Sequence, residues 1–156
     1  MKKKIYVTLI LFLVTISYGY SQKENSNWFF GYNAGLTWTT TTSYNATGVY
    51  VTANATLTGM PTPVTGSLLS TPEGCFSISD VNGNLLFFSD GMTIWNRNKA
   101  VMTNGTGLTG NPSSAQSGII FPYPYSPTKY IAVTLGQYNQ NNLSYSVIDM
   151  SQSGEL

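Results

Sequence analysis

Four carboxylates and one thiol, Glu73, Asp80, Asp90, Asp149 and Cys75, are the interior groups of this 156-residue sequence with the chemistry to act on a substrate. The chain contains no histidine, which removes the commonest general base near neutral pH and the commonest zinc or copper ligand. A glycosidase would need two carboxylates converging on one sugar. Against that use, Asp80 and Asp90 flank a tight hairpin, where a short carboxylate caps backbone amides. Ser89, Asp90, Gly91, Thr93 and Trp95 come within one residue of the spacing of a sialidase-type Asp box. Asp80, Asn82 and Asn84 alternate as oxygen ligands for calcium would, but Gly83 stands out of step with the calcium-loop glycine and suits an Asn-Gly hairpin better. No G-x-S-x-G elbow, phosphate-binding glycine loop or metal-spaced cysteine pair occurs. The expectation is therefore a non-enzymatic chain with no catalytic residue, metal site or cofactor.

Binding remains. Trp95, Tyr123 and Tyr125 fall at strand ends or in proline-rich turns, where aromatic faces can stack on a sugar or a peptide. Arg97, between Asn96 and Asn98, adds directional donors. Trp95, Arg97, Tyr123 and Tyr125 are the candidate ligand-binding set, with a glycan or a surface protein as the ligand class. Core packing of the same aromatics is the competing assignment.

Strands must position these residues. After the first two dozen positions no window shows helical spacing, whereas residues 49–57 alternate Val49, Val51, Ala53, Ala55 and Leu57 with polar neighbours. Residues 75–79 and 85–88 read as a hairpin around Asn82-Gly83, and Leu85, Leu86, Phe87 and Phe88 lack a polar face, as an inner strand covered on both sides would. Further strands are expected over 28–32, 36–40, 92–95, 118–121, 130–135 and 143–150. Residues 60–63, with two prolines, and 96–117, rich in Gly and Asn, read as loops. Residues 84–88 and 142–146 share a weak pattern, the kind of echo that repeated β-propeller blades produce. The pattern predicts an all-β fold: a partial β-propeller of about two to three blades of four-stranded antiparallel sheet, or alternatively a β-sandwich.

The first 21 residues read differently. Lys2, Lys3 and Lys4 precede an apolar run over residues 5–16, followed by Ser17, Gly19 and Ser21. That is the order of a secretory signal helix, and a run of about a dozen residues falls short of the roughly 20 needed to cross a bilayer. The expected organisation is a signal peptide over 1–21, cleaved after Ser21 or Gly19, then one β segment over 22–156. Export through the Sec pathway to the periplasm, cell surface or medium follows, with no stable membrane anchor. The exported part keeps four cations, Lys23, Arg97, Lys99 and Lys129, against six acids. Four scattered cations cannot form the basic face that nucleic acid requires. Charged residues make up 8% of the chain, against about 25% in ordinary soluble domains, so hydroxyls and amides do the wetting. A single cysteine cannot form an internal disulfide, and Cys75 is expected to be a small buried hydrophobe.

Trp28-Phe29-Phe30-Gly31 with Ala34-Gly35-Leu36, the block over residues 71–98, residues 102–124 and residues 143–150 together resemble the N-terminal region of a family of Bacteroidota surface proteins. The resemblance implies a β-propeller in an adhesion or interaction protein whose full length ends in a gliding motility-associated C-terminal domain for type IX secretion. It further implies that this chain is a fragment, with the remaining blades of a longer parent as its natural partner.

Overall fold

The computed structural model describes residues 23–47, 55–136 and 143–152. The signal segment over 1–21 and most of the alternating stretch over 49–57 lie outside them. The described residues form ten strands and no helix: β1 (Asn27–Phe30), β2 (Tyr32–Ala46), β3 (Ala55–Ser70), β4 (Phe76–Ser79), β5 (Leu85–Ser89), β6 (Thr93–Asn96), β7 (Val101–Thr106), β8 (Gly118–Pro122), β9 (Lys129–Leu135) and β10 (Leu143–Asp149). They build three antiparallel sheets in chain order: β1-β2-β3, the central β4-β5-β6-β7, and β8-β9-β10. The all-β class is as expected, and no sheet closes into a barrel. Among the described residues the central sheet has four strands and its flanking sheets three each.

Local chemistry sets the central hairpin. The Asp80 carboxylate accepts the Asn82 and Asn84 amides at 2.8 and 2.9 Å and the Asn84 side-chain amide at 2.9 Å. Gly83, at φ +92°, completes the reversal in a backbone region that costs glycine little. The register then skips Leu86, since Ser79 faces Leu85 while Ile78 faces Phe87. This bulge turns Leu86 to the same side as Phe87, and Phe88 points the other way.

Two cores result. Phe76, Ile78, Leu86, Phe87, Ile94 and Met102 of the central sheet pack on Tyr130, Ala132, Ile148 and Met150 of the third. On the opposite face, Phe88 packs with Phe29 and Leu69 of the first sheet, and its ring stacks on Phe29 at 4.9 Å. Phe87 and Phe88 are completely buried, each a burial of roughly 1.5–3 kcal/mol. The central sheet is thus sandwiched between the other two, as the residues of β5 predict.

The three sheets draw closest along β1, β4 and β8. Asn27 fastens the first pair: it is buried, donates to Ser79 Oγ at 3.0 Å and to the Gly83 carbonyl at 2.8 Å, and accepts the Thr37 hydroxyl at 2.8 Å. Ser77 Oγ adds a 2.7 Å bond to the Asn27 carbonyl. At the far end, Thr71 Oγ1 donates to Pro112 O at 2.6 Å, and Ser114 Oγ to Gly136 O at 2.9 Å, tying the loop over residues 107–117 to both neighbours. Initial strands that converge while later strands splay fit an arc of propeller blades, and the layering also fits a sandwich.

Three expectations need correction. Residues 60–63 lie inside β3, not in a loop; β3 is an edge strand, where proline removes no ladder bond from an inner neighbour. The 96–117 segment contains β7, disguised by Asn104 at φ +57° and by a register shift against β6. The echo between residues 84–88 and 142–146 pairs the second strand of one sheet with the third of another, so it is not a blade repeat.

Candidate functional site

The carboxylates sit at separate turns. Asp90 Oδ1 accepts the Met92 and Thr93 amides, both at 2.8 Å. Asp149 accepts the Ser151 hydroxyl at 2.6 Å and its amide at 3.0 Å, and Lys129 Nζ approaches to 3.3 Å. Its pKa falls to about 2, led by the Ser151 hydroxyl and amide, with Lys129 and Gln152 behind them. At Asp80 partial burial raises the pKa, but the bonds from Asn84, Asn82 and Gly83 outweigh it and hold the carboxyl below its usual value. Each of these three aspartates is thus committed to ordering its own turn; Glu73 and Glu24 are not, and Glu24 Oε2 is buried with no hydrogen-bond partner among the described residues. Among the described residues no three His, Cys, Asp or Glu side chains come together as metal ligands would.

The four predicted ligand-binding residues fall in two places. Trp95 lies on β6, half-buried, with its ring stacked on Phe88 at 5.6 Å. It belongs partly to the core, the competing assignment made for it. Arg97 is exposed in the β6–β7 turn. Tyr123 and Tyr125 occupy the β8–β9 turn of the third sheet, exposed, with Tyr125 in the left-handed region at φ +61°. Among the described residues no hydrogen bond or ring contact joins one pair to the other. Cys75 is half-buried at the border of the second core, where burial pushes its thiol pKa up against a smaller lowering from a Gly31 backbone hydrogen bond.

Sequence reasoning missed the surfaces the stack leaves open. On the outer side of the first sheet, Trp28 and Trp38 are 50% and 38% exposed, with ring centroids 5.0 Å apart and planes tilted by 60°. Trp28 also lines a groove of about 350 Å³ with Phe30, Ser77, Gln116 and Ile119. No charged side chain occurs between Asn25 and Pro72, so this aromatic surface is neutral. Its signal in the sequence was the period-two spacing of Trp28 and Phe30, but the meeting with Trp38 depends on how β1 and β2 register across Gly31.

The third sheet leaves a second surface. Its outward face carries Ile119 and Phe121 from β8, Leu135 from β9, and Leu143, Tyr145 and Val147 from β10, all exposed. Cross-strand register aligns Ile119, Val133 and Tyr145 in one row and Phe121, Ile131 and Val147 in the next. A cleft of about 610 Å³ opens on the other side of β10, floored by Ile94, Met102, Leu108 and Ile148 and rimmed by Asn104 and Gln152.

Compared with known proteins, the chain matches no family model, no curated protein and no solved structure.

Proposed function

We propose that this chain is an exported, non-enzymatic module of a cell-surface protein that acts by adhesion or interaction, as part of a gliding motility-associated type IX secretion substrate. The observation that carries this reading is the contrast between spent and unspent groups. Asp80, Asp90 and Asp149 are engaged in capping turns, while aromatic and aliphatic side chains face solvent at both ends of the stack. Contiguous apolar surface on a soluble protein marks a place where something else binds. The tilted Trp28–Trp38 pair, with uncharged surroundings, suits a neutral glycan or a surface protein, and the outward face of the third sheet suits a further blade of a longer parent. The resembling blocks support the same assignment, because residues 28–36 and 71–98 supply β1, the first turn and the central hairpin.

Two measurements test it. A glycan array probed with the purified chain is expected to show retention that Trp28→Ala together with Trp38→Ala abolishes, with no hydrolysis of the retained sugar. Turnover of a glycan that disappears when Glu73, Asp80 and Asp90 are replaced together would instead establish a carbohydrate-active enzyme. Cell fractionation is expected to place the chain outside the cytoplasm; retention inside would refute export.

A further inference from the structure

We infer that the groove where β1, β4 and β8 converge is a binding site for an uncharged sugar ring, which stacks on Trp28 and is held through its hydroxyls by Asn25 and Gln116. The inference rests on the adhesion reading and deepens it: it selects a neutral saccharide over a protein ligand, and it moves the contact from the open face of the first sheet into a bounded site.

Three strands from three sheets build the groove. β4 touches both β1 and β8 and so lies between them. Trp28 and Phe30 of β1 stand on one side, Ile119 and Ile120 of β8 on the other, with Phe76 of β4 in the middle. Packing fixes this shape. Gly118 lets β8 lie against the floor, since a Cβ there would come within 2.5 Å of the Phe76 ring and 2.8 Å of the Val133 carbonyl. Trp28 is braced by Trp38, their ring centroids 5.0 Å apart. A site formed before its ligand arrives loses little conformational freedom on binding.

The lining decides the ligand. The groove's volume of about 350 Å³ lies at the small end of the roughly 300–1,000 Å³ of small-molecule sites, the scale of a ring rather than of a folded partner. No charged side chain lines it, so a phosphate, a uronate or an ammonium group would lose hydration with no counter-charge to replace it. Trp28 keeps half its surface exposed, which offers a flat apolar face. Asn25 and Gln116 stand exposed in the lining, and neither side chain has a hydrogen-bond partner among the described residues. Asn27, Asn84 and Asn111, by contrast, use their side-chain amides within the fold. A free carboxamide presents a donor beside an acceptor, which matches two neighbouring hydroxyls. An apolar face with polar groups at its border fits a pyranose, whose ring face is apolar and whose edge is hydroxylated.

The test titrates the full chain with neutral disaccharides of the gluco, galacto, manno and N-acetylglucosamine series, and with glucuronate and glucosamine as charged counterparts. Two signals are followed: tryptophan fluorescence, and alkylation of Cys75, the chain's one cysteine, which lines the groove. At least one neutral sugar is expected to shift the fluorescence and, at a concentration about ten times its Kd, to slow alkylation about tenfold; the charged sugars should do neither. Trp28→Ala should abolish the response. Gln116→Ala, an exposed change that leaves the core intact, should weaken binding about tenfold, the scale of one hydrogen bond. If no neutral sugar binds, or the charged sugars bind equally well, the inference is overturned. A sugar that shifts fluorescence but leaves alkylation and the Gln116→Ala affinity unchanged also overturns it, because that sugar sits on the open Trp28–Trp38 face and the adhesion reading stands without the groove. The adhesion reading fails separately, if Trp28→Ala with Trp38→Ala alters no retention on the glycan array.

Discussion

Strands β5 and β10 are similar in length and differ in what covers them. In β5 the last four residues are buried, with Phe87 facing one sheet and Phe88 the other. In β10 the large side chains Leu143, Tyr145 and Val147 face outward, 72%, 74% and 49% exposed, while Ser144 and Ser146 face the central sheet, opposite Thr134 and Ala132. Alternation in a sequence therefore reports a strand and its period but not the direction of its apolar face. Where the richer face points outward, the fold has buried what it can and left a surface for another body.

That contrast yields the largest expected effect. Phe87→Ala removes a completely buried ring that meets Tyr130 edge-on at 5.6 Å, and denaturant unfolding is expected to show a loss of about 3–5 kcal/mol. Tyr145→Ala, of comparable chemistry on the open face, is expected to change stability by roughly 0.5 kcal/mol or less. Equal losses would break the comparison, because they would mean that the outward face of the third sheet is covered in the isolated chain.

The same contrast explains what was legible beforehand. The turn at Asp80 could be read because its bonds stay within four residues, and β5 could be read because a run with no polar face has few alternatives. β9 and β10 were found nearly to the residue from their period. β7 was hidden because Asn104 and Gly105, ordinary loop residues, sit in an irregular stretch of an edge strand that tolerates them. Of the candidate surfaces little was legible. The Trp28–Trp38 pair forms through register, and the cleft at β10 forms through the stacking of sheets far apart in sequence. Trp95 illustrates the limit: its position at a strand end suggested a site, and the β5–β6 register, which sets it opposite Phe88, decides that its ring stacks there.

A smaller effect tests how the first and central sheets are held together. Asn27 uses its amide nitrogen as a donor to both Ser79 and Gly83, and its oxygen as an acceptor for Thr37. Asn27→Asp keeps the shape and the acceptor but removes both donors, setting a carboxylate oxygen against the Gly83 carbonyl in a buried position. The expected loss is about 2 kcal/mol. Asn27→Ala with Thr37→Val, which removes polar groups from both sides, should cost less than Asn27→Asp. If the carboxylate is tolerated, then hydrophobic contact between Phe29 and Phe88 holds the two sheets and the polar hub is incidental.

The smallest effect concerns the end of β10, where Asp149 closes the edge strand as Asp80 closes the central hairpin. Its folded pKa of about 2 lies below the ordinary 3.8, so folding favours the ionised form. The stabilisation it provides is fully present above the ordinary value and is lost as pH falls through about 2. In Asp149→Asn the melting temperature should accordingly fall less than in the wild type over that interval, with the two converging at the acid end. The side chain is partly exposed, at 24%, so solvent screening should keep the difference modest. Its response to salt separates the causes: the Ser151 hydroxyl and amide lead the shift, and hydrogen bonds from neutral donors are little affected by salt, whereas the 3.3 Å contact with Lys129 is a partly exposed ion pair that screening weakens. A difference that persists at high salt assigns the effect to the turn; one that vanishes assigns it to Lys129, and the resemblance between this turn and the one at Asp80 would then be superficial.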